Sequence, residues 1–212
     1  TQQLRSAMDP VLRLLDAERT SLIDADDTSI GPDCRFRYQF TNAGDYWIEI
    51  RDSRNAAAGA AYQLRVGDFP IVNQCFPLAA RSGEKTSIAF TGPDGKLVAP
   101  REIEIPADTD GVIQVQAKLD EGQSSSWLPL YCSEHPQFVE SATQQTLTLP
   151  IGISGRLQQP QEVDSYLVRG VKGQVVRFSA KTRSLGSPTL LQMQLFSAAG
   201  AKIAETTVSD AD

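Results

Sequence analysis

Apolar and polar side chains alternate residue by residue in short stretches along this chain, and that alternation restricts its fold more than any other feature. Phe36, Tyr38 and Phe40 alternate with Arg35, Arg37 and Gln39, and Tyr46, Ile48 and Ile50 alternate with Trp47, Glu49 and Arg51. Tyr62, Leu64 and Val66 repeat the pattern, as do Ile88/Phe90, Ile103/Ile105, Ile113/Val115/Ala117 and Val176/Phe178/Ala180. A period of two puts successive side chains on opposite faces of an extended backbone, so each stretch predicts a half-buried strand. Turn-forming residues separate them: Asn42-Ala43-Gly44-Asp45, Gly92-Pro93-Asp94-Gly95, Asp108-Thr109-Asp110-Gly111 and Lys172-Gly173. Leu12–Ala17 has the makings of a helix start, but its counterpart Leu191–Ser197 holds alternating glutamines, and both are read as strands. Short strands with frequent turns predict an all-β chain of tandem antiparallel sandwiches.

That counterpart belongs to a longer internal repeat. Setting Thr1 against Thr182 aligns Leu4 with Leu185, Ser6 with Ser187, Leu14-Leu15 with Leu195-Phe196, Ala17 with Ala198 and Leu22 with Ile203. Five of the 31 aligned positions are identical, so what recurs is an apolar pattern followed by a polar turn. A module cut at the same point at both ends reads as a slice from a tandem array.

Charge and hydropathy exclude several classes. Residues 1–67 carry eight basic against ten acidic residues, 68–150 five against eleven, and 151–212 seven against five. With no basic stripe, nucleic acid is not an expected partner. The acidic middle reads as a solvated face that keeps the chain soluble, or as a surface for cations. No apolar run approaches the roughly 18 residues of a membrane-spanning helix, so membrane insertion is not expected. Thr1–Pro10 lacks a basic segment followed by an apolar one, which places any export signal upstream. Gly67-Asp68-Phe69-Pro70 and Glu134-His135-Pro136 each end one strand run and open another. They divide the chain into residues 1–67, 68–138 and 139–212.

The outer segments resemble the bacterial pre-peptidase C-terminal domain, a jelly-roll-like β-sandwich. Met8–Ala17 is similar to that family's middle strand and Asp24-Ala25-Asp26-Asp27-Thr28 to the acidic loop after it. Cys34–Tyr38, Gly44–Asp52 and Tyr62–Gly67 are similar to its last three strands. The front half of a next copy follows in Gly155-Arg156-Leu157, Val163-Asp164-Ser165-Tyr166, Gly173-Gln174 and Arg183–Pro188. Such modules are similar to those of large exported planctomycete proteins. Where relatives open with a Glu-Pro-Asn-Asp-like stretch that can help ligate calcium, this chain has Glu140–Gln145, with one carboxylate. Residues 68–138 resemble an immunoglobulin-like domain of the TIG kind, through Phe76-Pro77-Leu78, Arg81-Ser82-Gly83-Glu84, Phe90-Thr91-Gly92 and Ile105-Pro106-Ala107-Asp108.

Cys75 falls near the first strand of that middle domain and Cys132 near its last. In immunoglobulin-like sandwiches those strands often run side by side, so the resemblance implies a Cys75–Cys132 disulfide worth roughly 4 kcal/mol in the chain-entropy model. The alternative is two separately buried thiols. Cys34 is left over and is expected to pack within its strand.

Asp24, Asp26 and Asp27 are spaced closely enough to ligate calcium through oxygen, although aspartates also build turns by bonding their own backbone. Trp47 is expected to point away from the face of Tyr46, Ile48 and Ile50, where it would stack on a sugar ring or pack under a loop or partner. Trp127 is expected in the middle-domain core. His135, the single histidine, lies in a probable turn with no nucleophile motif, zinc spacing, phosphate loop or dinucleotide fingerprint accompanying it. No catalytic residue is therefore expected.

These readings converge on a non-catalytic structural or adhesive segment of a large extracellular, cell-surface or periplasmic protein. Its expected partners are neighbouring copies of the same module, completing half-sandwiches head to tail into a fibre. The rival expectation is a polysaccharide- or matrix-binding accessory module of a secreted hydrolase, with Trp47 on its surface.

Overall fold

The computed structural model describes residues 7–28, 33–55, 59–92, 97–118, 125–141 and 146–206. The first six residues of the repeat, the turn residues Pro93-Asp94-Gly95, the stretch 142–145 and the repeat's end from Thr207 lie outside them. The chain divides into two compact units, Thr1–Asp68 and Phe69–Asp212. Among the described residues the regular structure is β, apart from one 3-10 turn at Arg183–Leu185. The fold is all-β.

In the first unit, β1 (Pro10–Leu15), β2 (Ser21–Ala25) and β3 (Trp47–Asp52) form an antiparallel sheet in the order β2-β1-β3. Leu12 pairs with Ala25 on one side, and Leu15 with Trp47 through Pro10 with Asp52 on the other. The central strand is the buried one, with Val11, Leu14 and Leu15 at 5%, 3% and 4% exposure. Asp16 closes the β1–β2 turn: its amide donates to the Thr20 carbonyl at 3.0 Å, and its Oδ1 accepts from the Thr20 amide at 2.7 Å. An aspartate that bonds its own turn backbone is a local turn signal.

In the second unit, β4 (Gln74–Phe76), β6 (Lys85–Thr91) and β7 (Leu97–Glu104) make one antiparallel sheet in the order β4-β6-β7. A second has the order β5-β9-β8, from β5 (Ala79–Arg81), β8 (Gly111–Val115) and β9 (Leu128–Ser133). Both feed one buried cluster, with Cys75, Ile88 and Phe90 from the first sheet and Ala80, Val115, Leu128, Leu130 and Cys132 from the second. Ser125 is buried yet satisfied, because its hydroxyl accepts from the Ala117 amide at 2.9 Å and donates to the Ser126 carbonyl at 2.7 Å. Shorter pairs follow: β10 (Gln137–Val139) with β12 (Gly152–Ser154), and β11 (Thr146–Leu147) with β13 (Leu167–Val168). These two pairings and β5–β9 are parallel, where an entirely antiparallel arrangement was expected.

Three expected strands are absent: residues 35–40, 62–66 and 176–180 have no ladder partner among the described residues. Alternation sets which face a side chain takes, whereas a strand exists only when its backbone groups pair across a ladder. Phe40, Tyr62, Val66, Val175 and Phe178 all stand exposed there. Tyr38, Phe40 and Tyr46 still gather edge to face, with ring centroids 5.3 and 4.6 Å apart. Trp127, expected in the core, is half-exposed, because Leu128, Leu130 and Cys132 occupy the inward positions of β9 and Trp127 precedes them in the opposite phase.

The chain ends its described part in a hairpin of β14 (Gln194–Phe196) and β15 (Lys202–Glu205) that reproduces β1–β2 at an offset of 181 residues. Gln194 opposite Glu205, Leu195 opposite Ala204 and Phe196 opposite Lys202 correspond to Arg13–Asp24, Leu14–Ile23 and Leu15–Ser21. The register shift falls at the same step in both. The turn matches as well, since the Ser197 amide donates to the Ala201 carbonyl at 2.8 Å and the Ser197 hydroxyl accepts from the Ala201 amide at 3.1 Å. The surroundings differ: Leu195 and Phe196 are 37% and 51% exposed, and among the described residues no third strand lies beside β14. Leu14→Ala should accordingly cost about 2–5 kcal/mol in denaturant unfolding of the first unit, and Leu195→Ala under about 1 kcal/mol in dilute solution.

Candidate functional site

Three places in the chain gather side chains that can do chemistry or bind. The first is the end of the β1–β2 ladder. The register that sets Leu12 opposite Ala25 carries Asp9, just before β1, alongside the residues just after β2. Asp9, Asp26 and Asp27 thereby bring carboxylate oxygens within 4.8 Å of one another. Asp9 Oδ2 accepts from the Ser53 hydroxyl at 2.5 Å, while Asp9 Oδ1 is buried with no hydrogen-bond partner. Partial burial, with the charges of Asp9 and Asp26 behind it, raises the Asp27 carboxyl pKa. Crowded carboxylates with an unsatisfied oxygen suit a hard, oxygen-seeking cation.

The expected set was Asp24, Asp26 and Asp27, and the structure brings only the last two together. Asp24 sits opposite Arg13 in the ladder, where it pairs with the Arg13 guanidinium and accepts from the Ser21 hydroxyl at 2.8 Å. Those bonds, Ser21 first, hold its carboxyl below the ordinary range. Asp9 was missed because it lies 17 positions before Asp26, and only the hairpin register makes them neighbours.

The second place is a cleft of about 670 Å³ in the second unit, lined in part by Phe76, Phe138, Glu140, Arg156, Asp164 and Tyr166. The Arg156 guanidinium lies 3.8 Å over the Phe76 ring. Glu140 accepts from the Tyr166 hydroxyl at 3.2 Å and from the Arg156 amide at 3.1 Å. Burial and the Glu140 charge push the Tyr166 phenol up to about 12, and burial with Glu140 and Glu162 raises Asp164. A Cβ at Gly155 would come within 2.7 Å of Glu140 Oε2, so a larger residue there would displace that carboxylate. The cleft offers carboxylates, hydroxyls and aromatic edges.

The third place is the edge of β14, where Leu195 and Phe196 are exposed, whereas their counterparts Leu14 and Leu15, on the strand beside β3, are buried. Trp47, at the start of β3, is half-exposed, with the Arg19 guanidinium 3.8 Å over its ring.

The cysteines do not pair. Cys34, Cys75 and Cys132 are all free thiols, so the expected Cys75–Cys132 disulfide is not formed. Cys75 on β4 and Cys132 on β9 belong to the two sheets that share the buried cluster, and the strand beside β9 is β5 rather than β4. Cys75 instead donates to the Pro129 carbonyl at 3.3 Å. Burial pushes the Cys75 and Cys132 thiols up to about 12 and about 11, which disfavours the reactive thiolate. Cys34 is partly buried in a segment that is not a strand. His135 stands exposed in the bend between β9 and β10.

Calcium should raise the melting temperature by about 2–4 °C near neutral pH, followed by calorimetry, and Asp9→Asn should abolish the rise. Because the folded state holds the Asp27 pKa above its unfolded value, ionisation costs stability. Without calcium, that lost stability should return as pH falls through the raised value. No protein-family model matches the chain, and no curated protein or solved structure matches it either.

Proposed function

We propose that this chain is a non-catalytic structural and adhesive segment of a large exported, repeat-containing cell-surface or extracellular protein, whose modules are completed by neighbouring copies. The observation that carries this reading is the pair of matching hairpins, one with buried side chains and a third strand beside it, the other with exposed side chains and none beside it among the described residues. Covering Leu195 and Phe196 as Leu14 and Leu15 are covered is worth roughly 1.5–3 kcal/mol for each fully buried side chain. The alternating stretches at 35–40, 62–66 and 176–180, which are not strands, leave Phe40, Tyr62, Val66 and Phe178 exposed as further apolar surface that completion would bury.

In this reading, residues 1–67 are the rear half of a sandwich resembling the pre-peptidase C-terminal domain, and 139–212 are the front half of the next. Residues 68–138 form an immunoglobulin-like sandwich between them. Two three-stranded sheets sharing one buried cluster support the middle assignment. Completion by a rotation that does not close extends into a fibre. Asp9, Asp26 and Asp27 are the residues that would hold calcium, bracing the end of the hairpin to which each copy must dock. Static light scattering of the purified chain should show apparent mass rising with concentration. A monodisperse monomer across the accessible range would rule out exchange between copies.

A further inference from the structure

We propose that the open edge of β14 accepts one particular strand, the β3 segment Trp47–Asp52 of a second copy of this module. It docks antiparallel, with Phe196 opposite Trp47, Leu195 opposite Ile48 and Gln194 opposite Glu49. The inference rests on the reading that copies complete one another, and adds to it the identity and register of the donor strand.

The argument starts from how completely the two hairpins agree. Beyond register and turn, a polar side-chain trio is reproduced. Arg13 pairs with Asp24, which also accepts from Ser21; Gln194 Nε2 donates to Glu205 Oε2 at 3.3 Å, and that oxygen also accepts from Lys202 Nζ at 2.8 Å. One of these hairpins has its third strand in place. Leu15 lies opposite Trp47, Leu14 opposite Ile48 and Arg13 opposite Glu49, with Arg13 Nη1 3.3 Å from Glu49 Oε1. Moving β3 by the offset that superposes the hairpins fixes its register on β14.

The backbone is turned the right way. The Ser197 amide donates to the Ala201 carbonyl at 2.8 Å and the Thr206 amide to the Met193 carbonyl at 2.9 Å, so Met193 and Ser197 spend their hydrogen bonds within the hairpin. Alternation along an antiparallel strand then directs the N–H and C=O of Gln194 and Phe196 to the free edge. The same parity in the first hairpin, set by Asp16 to Thr20 at 3.0 Å, directs Arg13 and Leu15 toward β3. Docking would therefore exchange bonds at Phe196–Trp47 and Gln194–Glu49. The side chains are compatible: Gln194 replaces Arg13 as a donor toward Glu49, and Phe196 in place of Leu15 gives Trp47 an aromatic cross-strand neighbour. Among the described residues the chain has two hairpins of this kind and one β3, so the strand beside β1 is the one observed guide to what fits beside β14.

The test uses the full chain and a fluorescent synthetic peptide of residues 44–53 supplied in trans. Anisotropy should show saturable one-to-one binding, with amide hydrogen exchange slowed at Gln194 and Phe196. N-methylation of the peptide at Glu49, whose N–H faces the acceptor, should weaken binding by at least about tenfold. N-methylation at Ile48, whose N–H faces away, should change it less than about twofold. Phe196→Pro should weaken binding as the Glu49 modification does. Absence of binding, equal effects of the two N-methyl groups, or exchange changes at residues 47–52 in place of 194 and 196 would overturn the proposal. A chain that assembles in light scattering yet ignores the peptide also overturns this register, while leaving assembly intact. A chain that binds the peptide as described but stays monomeric supports the acceptor edge and removes the head-to-tail reading instead.

Discussion

The pairing of β1 on both of its edges governs the first unit. A strand flanked on both sides satisfies its N–H and C=O groups internally, so its apolar side chains can leave water without stranding polar backbone. Val11, Leu14 and Leu15 are buried on that condition. The same sequence pattern in β14, flanked on one side only, leaves its leucine and phenylalanine in solvent. Two hairpins of one register in one chain thus differ in their side chains and in whether a third strand lies beside them among the described residues.

The second unit's core obeys the same rule through different means. Its two three-stranded sheets bury a shared set of aliphatic and aromatic side chains around Ile88, Phe90 and Leu130. Two buried serines arrive already bonded: Ser125 accepts from the Ala117 amide, and Ser154 accepts from the Leu78 amide at 3.1 Å. Two thiols complete the packing as small apolar groups, and their raised pKa values follow from the same dryness.

Much of this was legible in the sequence, and the limits have physical causes. The β class, the strands around Ile48, Phe90 and Ile113, and the likeness of Leu14-Leu15 to Leu195-Phe196 all follow from local periodicity. What periodicity does not encode is partnership. Residues 35–40 alternate as well as 46–50 do, yet only the second stretch has a strand beside it. The expected Cys75–Cys132 pairing also rested on which strands are adjacent, and in the structure both thiols are free. At the carboxylate cluster, Asp26 and Asp27 were visible as a run, whereas Asp9 joined them only through the hairpin register and Asp24 left them for Arg13.

The third residue of the β1–β2 turn has a consequence for how the two hairpins come into being. Arg19 holds a left-handed backbone, φ 67°, which a side chain adopts at a cost; its counterpart Gly200 holds φ 83° without that cost. Arg19 recovers something by laying its guanidinium on Trp47, a residue of the very strand that covers the sheet. The first bend is therefore tied to the arrival of its cover, while the second is ready-made and self-sufficient. Among the described residues, the hairpin without a third strand beside it is also the one whose chain reversal needs no strained side chain.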